Sequence, residues 1–448
     1  MADSSSSTLI STAQVVIPPA PSPNVRFASL RHWYSRSEQT LEASEARLLS
    51  RLAYFKIDGK TVGSPENSKT TARVGLVDLD GDGMRKINTL VIDQKGNDFD
   101  IDKDGSSSSL LSSLSSSSTK TNSDTDDSDE TLNYEQLGFT DMPQTDLKVQ
   151  SNTTTVNEEK NPSIKNLVMC HGFGGGLGFF YRNYHGISQV PGWRTYSIDW
   201  LGMGRSSRPS FIIKGKTVDE YVEETENFFI DSFEKWRKVH KIDKMTLLGH
   251  SLGGYLAAVY AMKYPMYVEK LILVSPVGVP RNPQNEPGYL KDGRRQIPGW
   301  IIKLWNAHVT PQLILRWLGP FGPSLVTKYT SHKFSHLEEI DQLDLHDYLY
   351  NISTAAGSGE FAITRILEPG AFARKPLIDR LHEIKMPTTF LYGENDWMDY
   401  RAAEKAKNSM KVPVKIEIVP KAGHHLYLDN PIDFNKFVIK EMLEDSNK

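Results

Sequence analysis

The sequence predicts an α/β fold with a mostly parallel sheet and a helical cap inserted before the last strands. Three observations predict it. From Ile164 onward, short apolar runs alternate with amphipathic helical patterns, as βα units do. Those runs are apolar on both faces, which suits strands covered by helices on either side. Between about Gly278 and Ile384 the alternation stops, and a helical stretch rich in Trp and Pro replaces it.

Residues 1–28 read as a disordered tail, Ser-rich and broken by prolines between Pro18 and Pro23. Arg26, Arg31 and Arg36, with only Asp3 as an acid before Glu38, resemble the composition of a mitochondrial transit peptide. A plain disordered tail is the alternative. Residues 29–96 should hold a helix and the first strands. The helix is expected over 39–55, where Leu41, Leu48, Leu49, Leu52 and Phe55 recur at helical spacing around a polar gap at Ser44 and Glu45. Strands are expected at Ala72–Val77 and Ile87–Ile92. Between them, Asp78-Leu79-Asp80-Gly81-Asp82-Gly83 starts like a calcium-binding loop. Thr89 stands where the bidentate Glu belongs and no helices flank the loop, so it reads as an acidic hairpin turn.

Residues 97–161 are Ser- and Asp-rich and lack the apolar mass to offset ordering entropy, so they read as a disordered surface insertion. Residues 162–277 carry expected strands at Asn166–Cys170, Arg194–Asp199, Met245–Leu248 and Leu271–Ser275, with helices at Val218–Val239 and Gly253–Tyr264. The cap spans 278–384. Residues 385–448 return to the sheet with strands Thr388–Tyr392 and Val414–Val419 and helices Arg401–Ser409 and Pro431–Leu443.

Composition excludes several classes. The 448 residues carry 52 Lys and Arg against 55 Asp and Glu, a formal charge of −3, which argues against a nucleic-acid binder. The one cysteine, Cys170, rules out an internal disulfide framework or a Cys-rich zinc site and reads as a small buried hydrophobe. No apolar run reaches the roughly eighteen residues of a membrane-spanning helix. Asp199-Trp200-Leu201-Gly202-Met203-Gly204 has too few glycines for a dinucleotide fingerprint and reads as a structural turn at the edge of the active site.

The chemistry concentrates in Gly249-His250-Ser251-Leu252-Gly253, which follows an expected strand and opens a helix. G-x-S-x-G in that setting is a nucleophile elbow, a turn tight enough to need its glycines and to expose the serine oxygen. A serine hydroxyl needs a base, and the base needs an orienting acid. In this arrangement the order is Ser, acid, His. His424 is the expected base, with His425 its rival. Asp396 is the expected acid, with Asp399 the stronger rival and Glu394 the weaker. The oxyanion hole should be built from the N–H groups of Leu252 and of Phe173, in His171-Gly172-Phe173-Gly174. These groups imply neither a metal nor an organic cofactor.

These residues resemble the α/β-hydrolase superfamily. More closely, SLRHWYSRSEQTLEASEARLLSRL, VMCHGFGGGLGFFYRN, IDWLGMGRSSRP, LLGHSLGGYLAA, GAFARKPL and GHHLYLDNP resemble the subfamily of cardiolipin-specific deacylases, lysophosphatidic acid acyltransferases and the lipid-droplet coactivator of triglyceride lipase. The resemblance implies a serine acyl-ester hydrolase of glycerophospholipids or lysophospholipids. It also implies acyl transfer to lysophosphatidic acid with acyl-CoA as co-substrate, through an H-x4-D motif of His424 and Asp429. Asp429 also reads as the start of a helix at Pro431. The coactivator lacks the nucleophilic serine, whereas this sequence keeps Ser251, which favours an enzyme over a lipid-surface scaffold. An epoxide hydrolase would want Asp at that position.

Trp300, Ile301, Ile302, Leu304 and Trp305, then Leu313, Ile314, Leu315, Trp317 and Leu318, form two apolar clusters in the cap, the first flanked by Lys291, Arg294, Arg295 and Lys303. They suit an anionic lipid surface or the core beneath. Arg374 and Lys375 suit a lipid phosphate or a solvated face. The expected partners are a phospholipid substrate and a peripheral membrane or lipid-droplet surface. The expected location is intracellular, the mitochondrion first, with cytosol or lipid droplet as alternatives.

Overall fold

The computed structural model describes residues 37–52, 54–57, 60–61, 70–94, 164–283 and 297–444. The expected tail (1–28), the insertion (97–161) and the basic residues Lys291, Arg294 and Arg295 lie outside the described residues.

Ten strands form one sheet: β1 (Phe55–Ile57), β2 (Lys60–Thr61), β3 (Thr70–Asp78), β4 (Lys86–Gln94), β5 (Lys165–Cys170), β6 (Trp193–Ile198), β7 (Met245–His250), β8 (Val268–Val274), and two later strands, Thr388–Gly393 and Val414–Val419. Two short strands of the inserted segment, β9 (Leu367–Glu368) and β10 (Phe372–Ala373), pair only with each other, so the later strands are β11 and β12. The order is β12-β11-β8-β7-β5-β6-β4-β3-β1-β2. The run from β12 to β6 is parallel, whereas β4 pairs antiparallel with both β6 and β3.

Residue alternation along β5 shows why its run is apolar on both faces. Val168 and Cys170 point into one buried cluster with Phe229 and Leu256. Leu167 and Met169 point into the other with Leu48, Tyr184 and Phe434. Helices α1 (Glu38–Leu49), α2 (Tyr184–Ser188), α3 (Val218–Val239) and α4 (Leu252–Lys263) supply much of that cover. Helix α3 has the ends its sequence predicts, opened by a capping box of Thr217 and Glu220.

Helix α1 stops at Leu49, short of the expected 39–55. Leu52 and Phe55 keep their buried places, but in a turn and at the start of β1. The polar gap is filled by design of the packing: Glu45 is fully buried against Arg205. The acidic hairpin turn is closed by its own carboxylates. Asp78 accepts from the amides of Asp80, Gly81 and Gly83 at 3.1, 3.0 and 2.7 Å, and Asp80 pairs with Arg85 and Lys235.

Between β8 and β11 lie α5 (Gly299–Asn306), α6 (Pro311–Trp317), α7 (Gly322–Lys333), α8 (Glu339–Thr354) and α9 (Ala362–Ile366). Helix α1 is bound to α8 by ion pairs: Arg47 to Asp344 at 3.3 Å and to Asp347, and Arg51 to Asp341 and Asp344 at 2.8 and 2.7 Å. The chain closes with α10 (Arg401–Lys407), α11 (Leu426–Asp429) and α12 (Pro431–Leu443).

Candidate active site

The carboxyl ends of the parallel strands converge, the usual place for a site in an open α/β sheet. Ser251 follows β7, Asp396 lies in the loop after β11, His424 in the loop after β12, and the Gly172–Gly175 loop follows β5. Ser251 sits between strand and helix at φ 53° and ψ −117°, in the positive-φ region that a side chain rarely adopts. The turn leaves no room at its flanks. A Cβ on Gly249 would lie 2.3 Å from the Gly253 carbonyl, and one on Gly253 would lie 2.3 Å from the His171 carbonyl.

The serine, histidine and Asp396 form a line. Ser251 Oγ donates to His424 Nε2 at 3.1 Å, and His424 Nδ1 donates to Asp396 Oδ1 at 3.0 Å. A carboxylate only accepts, so Nδ1 carries the proton and Nε2 is left to accept from the serine. The Asp396 side chain is 1% exposed. Its Oδ1 also takes the Met398 amide at 3.0 Å, and its Oδ2 takes the hydroxyl of Ser275. The indole of Trp397 lies 5.0 Å from the His424 ring, centroid to centroid.

The rivals are elsewhere. Asp399 is exposed and accepts the Arg401 amide at 3.0 Å, at the start of α10. Glu394 accepts the Lys421 amide at 2.8 Å. His425 is half-buried, its ring packed among Phe179, Phe334 and Tyr427, and desolvation there holds its imidazole well below the usual range.

The loop after β5 lies against the elbow. A Cβ on Gly172 would come within 2.9 Å of both Ser251 Cβ and the His250 ring. The next amide, Phe173 N–H, and that of Leu252, first in α4, donate to no acceptor among the described residues. Two unspent N–H groups beside a serine, one at a helix N-terminus, suit an oxyanion.

Sequence reasoning missed four supporting residues. Ser275, which follows β8 at φ 43°, binds the acid. His250 Nε2 donates to the His424 carbonyl at 2.9 Å, while burial holds its imidazole well below the usual range, so it stays neutral. Glu45 and Asp199 brace the turn beside the site: Asp199 takes the Leu177 and Arg205 amides at 2.7 and 2.8 Å, and Asn88 bridges it to Glu45 at 2.8 Å on each side. The polar gap in helix α1 was the signal for Glu45, and the turn read at Asp199–Gly204 was the signal for Asp199; Ser275 and His250 left none beyond their places in an expected strand and in the elbow.

Asp429 is at the end of α11. Its Oδ2 accepts the Gly423 amide at 2.8 Å and its Oδ1 lies 3.3 Å from His336 Nε2. Arg374 lies over the ring of Tyr221, and Lys375 is 3.6 Å from Asp219, so the structure turns both to partners other than Ser251 and His424. The apolar cap clusters divide between two faces. Leu315 is buried and Trp305 donates to the Leu367 carbonyl at 2.9 Å, whereas Trp300, Ile302, Leu304, Ile314 and Trp317 are exposed. Among the described residues, no group of three or more His, Cys, Asp or Glu is placed to hold a metal ion, and no helix is long and apolar enough to cross a membrane.

The family model described as "alpha/beta hydrolase fold" matches residues 165–431. A probable 1-acylglycerol-3-phosphate O-acyltransferase of Oryza sativa subsp. japonica is 44% identical over 294 residues, 64% of this chain and 69% of that protein. A (lyso)-N-acylphosphatidylethanolamine lipase of Homo sapiens is 38% identical over 296 residues, 64% of this chain and 81% of that one. The crystal structure of a membrane phospholipase A, a bacterial virulence factor, superposes with a TM-score of 0.50 at 17% identity, covering 93% of this chain and 94% of its own; that likeness shows the fold alone.

Proposed function

We infer the activity from one premise: this chain belongs to the alpha/beta hydrolase fold family. With relatives named as an acyltransferase and a lipase, it is an ester-acting enzyme of lipid metabolism. We propose that it is a serine acyl-ester hydrolase of glycerophospholipids or lysophospholipids, cardiolipin among them, and that it also transfers acyl groups from acyl-CoA to lysophosphatidic acid. The observation that carries the reading is the line from Ser251 Oγ through His424 to Asp396, at 3.1 and 3.0 Å.

The mechanism follows from that line. Ser251 Oγ attacks the acyl carbonyl carbon as its proton passes to His424 Nε2. Asp396 holds the ring by Nδ1 and stabilises the imidazolium that forms. The N–H groups of Phe173 and Leu252 take the negative charge that develops on the carbonyl oxygen. The tetrahedral intermediate collapses, the ester C–O bond breaks, and His424 returns its proton to the departing glycerol oxygen. Water, or a lysophosphatidic acid hydroxyl, then gives its proton to His424 and attacks the acyl-enzyme, and Ser251 is regenerated. With acyl-CoA as donor, the thiol of coenzyme A is the first leaving group. No step draws on a metal or an organic cofactor.

The substrate is held in a membrane or droplet, and the exposed apolar side chains of α5 and α6 suit that surface. An intracellular membrane, the mitochondrial one first, is the proposed location, on the composition of the N-terminus and the resemblance alone.

The test is fatty-acid release from mixed liposomes of cardiolipin, phosphatidic acid, phosphatidylcholine and their lyso forms, with and without acyl-CoA, for the wild type beside Ser251→Ala. Loss of a triad serine costs on the order of 10⁶ in turnover, so the variant should be silent. Indistinguishable proteins across the panel would sink the mechanism and leave a lipid-surface scaffold.

A further inference from the structure

A small cleft, with about 20 Å³ of interior room, lies beside the candidate active site and shares a loop with it. One wall is Phe173, Gly174 and Gly175, the continuation of the loop whose Gly172 touches Ser251. The other wall comes from the cap, with Gln312 on α6 and Ile352 and Ser353 on α8. Ser251 does not line it.

Gln312 is out of place there by ordinary rules. It is 8% exposed, yet among the described residues its Oε1 has no hydrogen-bond partner. Its Nε2 lies 3.5 Å from where a Cβ on Gly174 would be, so the amide is aimed at the loop. Leaving a buried polar atom unpaired costs its full desolvation, and α6 offers no local remedy. A ligand group that enters the cleft and donates to Oε1 would satisfy it.

The chemistry of the wall narrows that ligand. A primary amide shows one donor and one acceptor whichever way its ends are placed. A phosphate oxygen only accepts, and an acyl chain does neither. An alcohol hydroxyl does both. The charges on the walls point the same way. Arg208 spends its terminal nitrogens on the carbonyls of Gly202, Ala356, Gly204 and Ile352, at 3.0, 2.9, 2.7 and 3.5 Å. Glu360 is paired with Arg316 and takes the Thr310 hydroxyl at 3.0 Å. One cation and one anion, both engaged, do not make an anion site. Phe173, Met203 and Ile352 give the remainder of the cleft an apolar lining.

We propose that this cleft is a subsite for the free glycerol hydroxyl of a lysophospholipid bound as the ester to be hydrolysed, read by the Gln312 amide, with Ser353 on the same wall. The assignment rests on the lysophospholipid reading above. It makes Gln312 a specificity residue that distinguishes a lipid with a free hydroxyl from one without.

The test is equilibrium binding by calorimetry to the Ser251→Ala protein, which needs no turnover. The probes are hexanoyl lysophosphatidic acid and its deoxy counterpart, the same ester and phosphate on propanediol. The hydroxyl ligand should bind roughly tenfold or more tighter, because the deoxy ligand leaves the amide unpaired. In Ser251→Ala/Gln312→Met the two should bind within twofold of each other. Equal binding to the Ser251→Ala protein overturns the subsite and leaves the lysophospholipid reading standing, and that comparison holds even where the Met variant does not fold. A preference that persists in Gln312→Met overturns the role of Gln312. Failure of both ligands to bind overturns the lysophospholipid reading and this subsite with it.

Discussion

Asp429 Oδ2 accepts the backbone N–H of Gly423 at 2.8 Å, and Gly423 is the residue before His424. The other oxygen lies 3.3 Å from His336 Nε2, in the cap. The second acid of the H-x4-D pair therefore grips the loop that carries the base, on its backbone side. That arrangement makes Asp429 a positioning residue.

Asp429→Ala should lower hydrolysis and acyl transfer by the same factor, roughly tenfold, because one His424 serves both and a small misplacement of the base is costly. The measurement is the kcat of each reaction on the same preparation. Loss of transfer with hydrolysis intact would assign Asp429 a separate role with the acyl acceptor and sink the positioning account.

The legible part of this site is the part that local chain geometry demands. Gly249 and Gly253 are required wherever a serine is held between strand and helix, so the elbow can be read from the sequence. His424 and Asp396 could be placed near it because each follows a strand. The sequence ranked Asp396 over Asp399 only by its nearness to the strand end. They are close in sequence and differ in burial and direction, one buried against His424 and the other exposed at the amide of Arg401. Contacts made across the fold were equally hidden. Glu45 finds Arg205 from 160 residues away, and a sequence shows that only as a gap in an apolar stripe. The ends of α1 were misjudged because Leu52 and Phe55 bury at helical spacing without being helical.

Glu45 ties stability to pH. Burial, its largest influence, pushes its carboxyl up to about 7, against the pull of the Arg205 guanidinium. A folded-state pKa above the ordinary 4.5 means the folded protein holds the proton more tightly than the unfolded chain. The stability gained is full below about pH 4.5 and is lost as the pH rises through about 7. Glu45→Gln is neutral throughout and removes this dependence. The stability of the wild type relative to Glu45→Gln should therefore fall from pH 5 to pH 8 by on the order of 1–3 kcal/mol. Urea unfolding at each pH measures it. A relative stability that grows with pH would mean the ionised pair with Arg205 outweighs the burial.

The cap presents more apolar surface than a protein in water ordinarily leaves bare. Trp300 is 64% exposed, Trp317 66% and Phe321 74%, and Leu325 and Tyr329 of α7 are exposed with them. Lys303 and Lys328 are exposed on the same helices. Indole rings with lysines among them suit the boundary between acyl chains and anionic head groups. Docking by these side chains would bring the cap to the lipid. If it does, Trp300→Ala/Trp317→Ala should lower partition onto anionic vesicles by roughly tenfold or more, since each ring withdraws a large apolar area from water. Thermal unfolding should change little, because both side chains are largely in solvent already. Vesicle sedimentation, with neutral vesicles as the second arm, measures the first; a scanning melt measures the second. Unchanged partition of a normally folded variant would remove this face as the docking surface, whereas a loss confined to anionic vesicles would give the lysines the larger share of the binding.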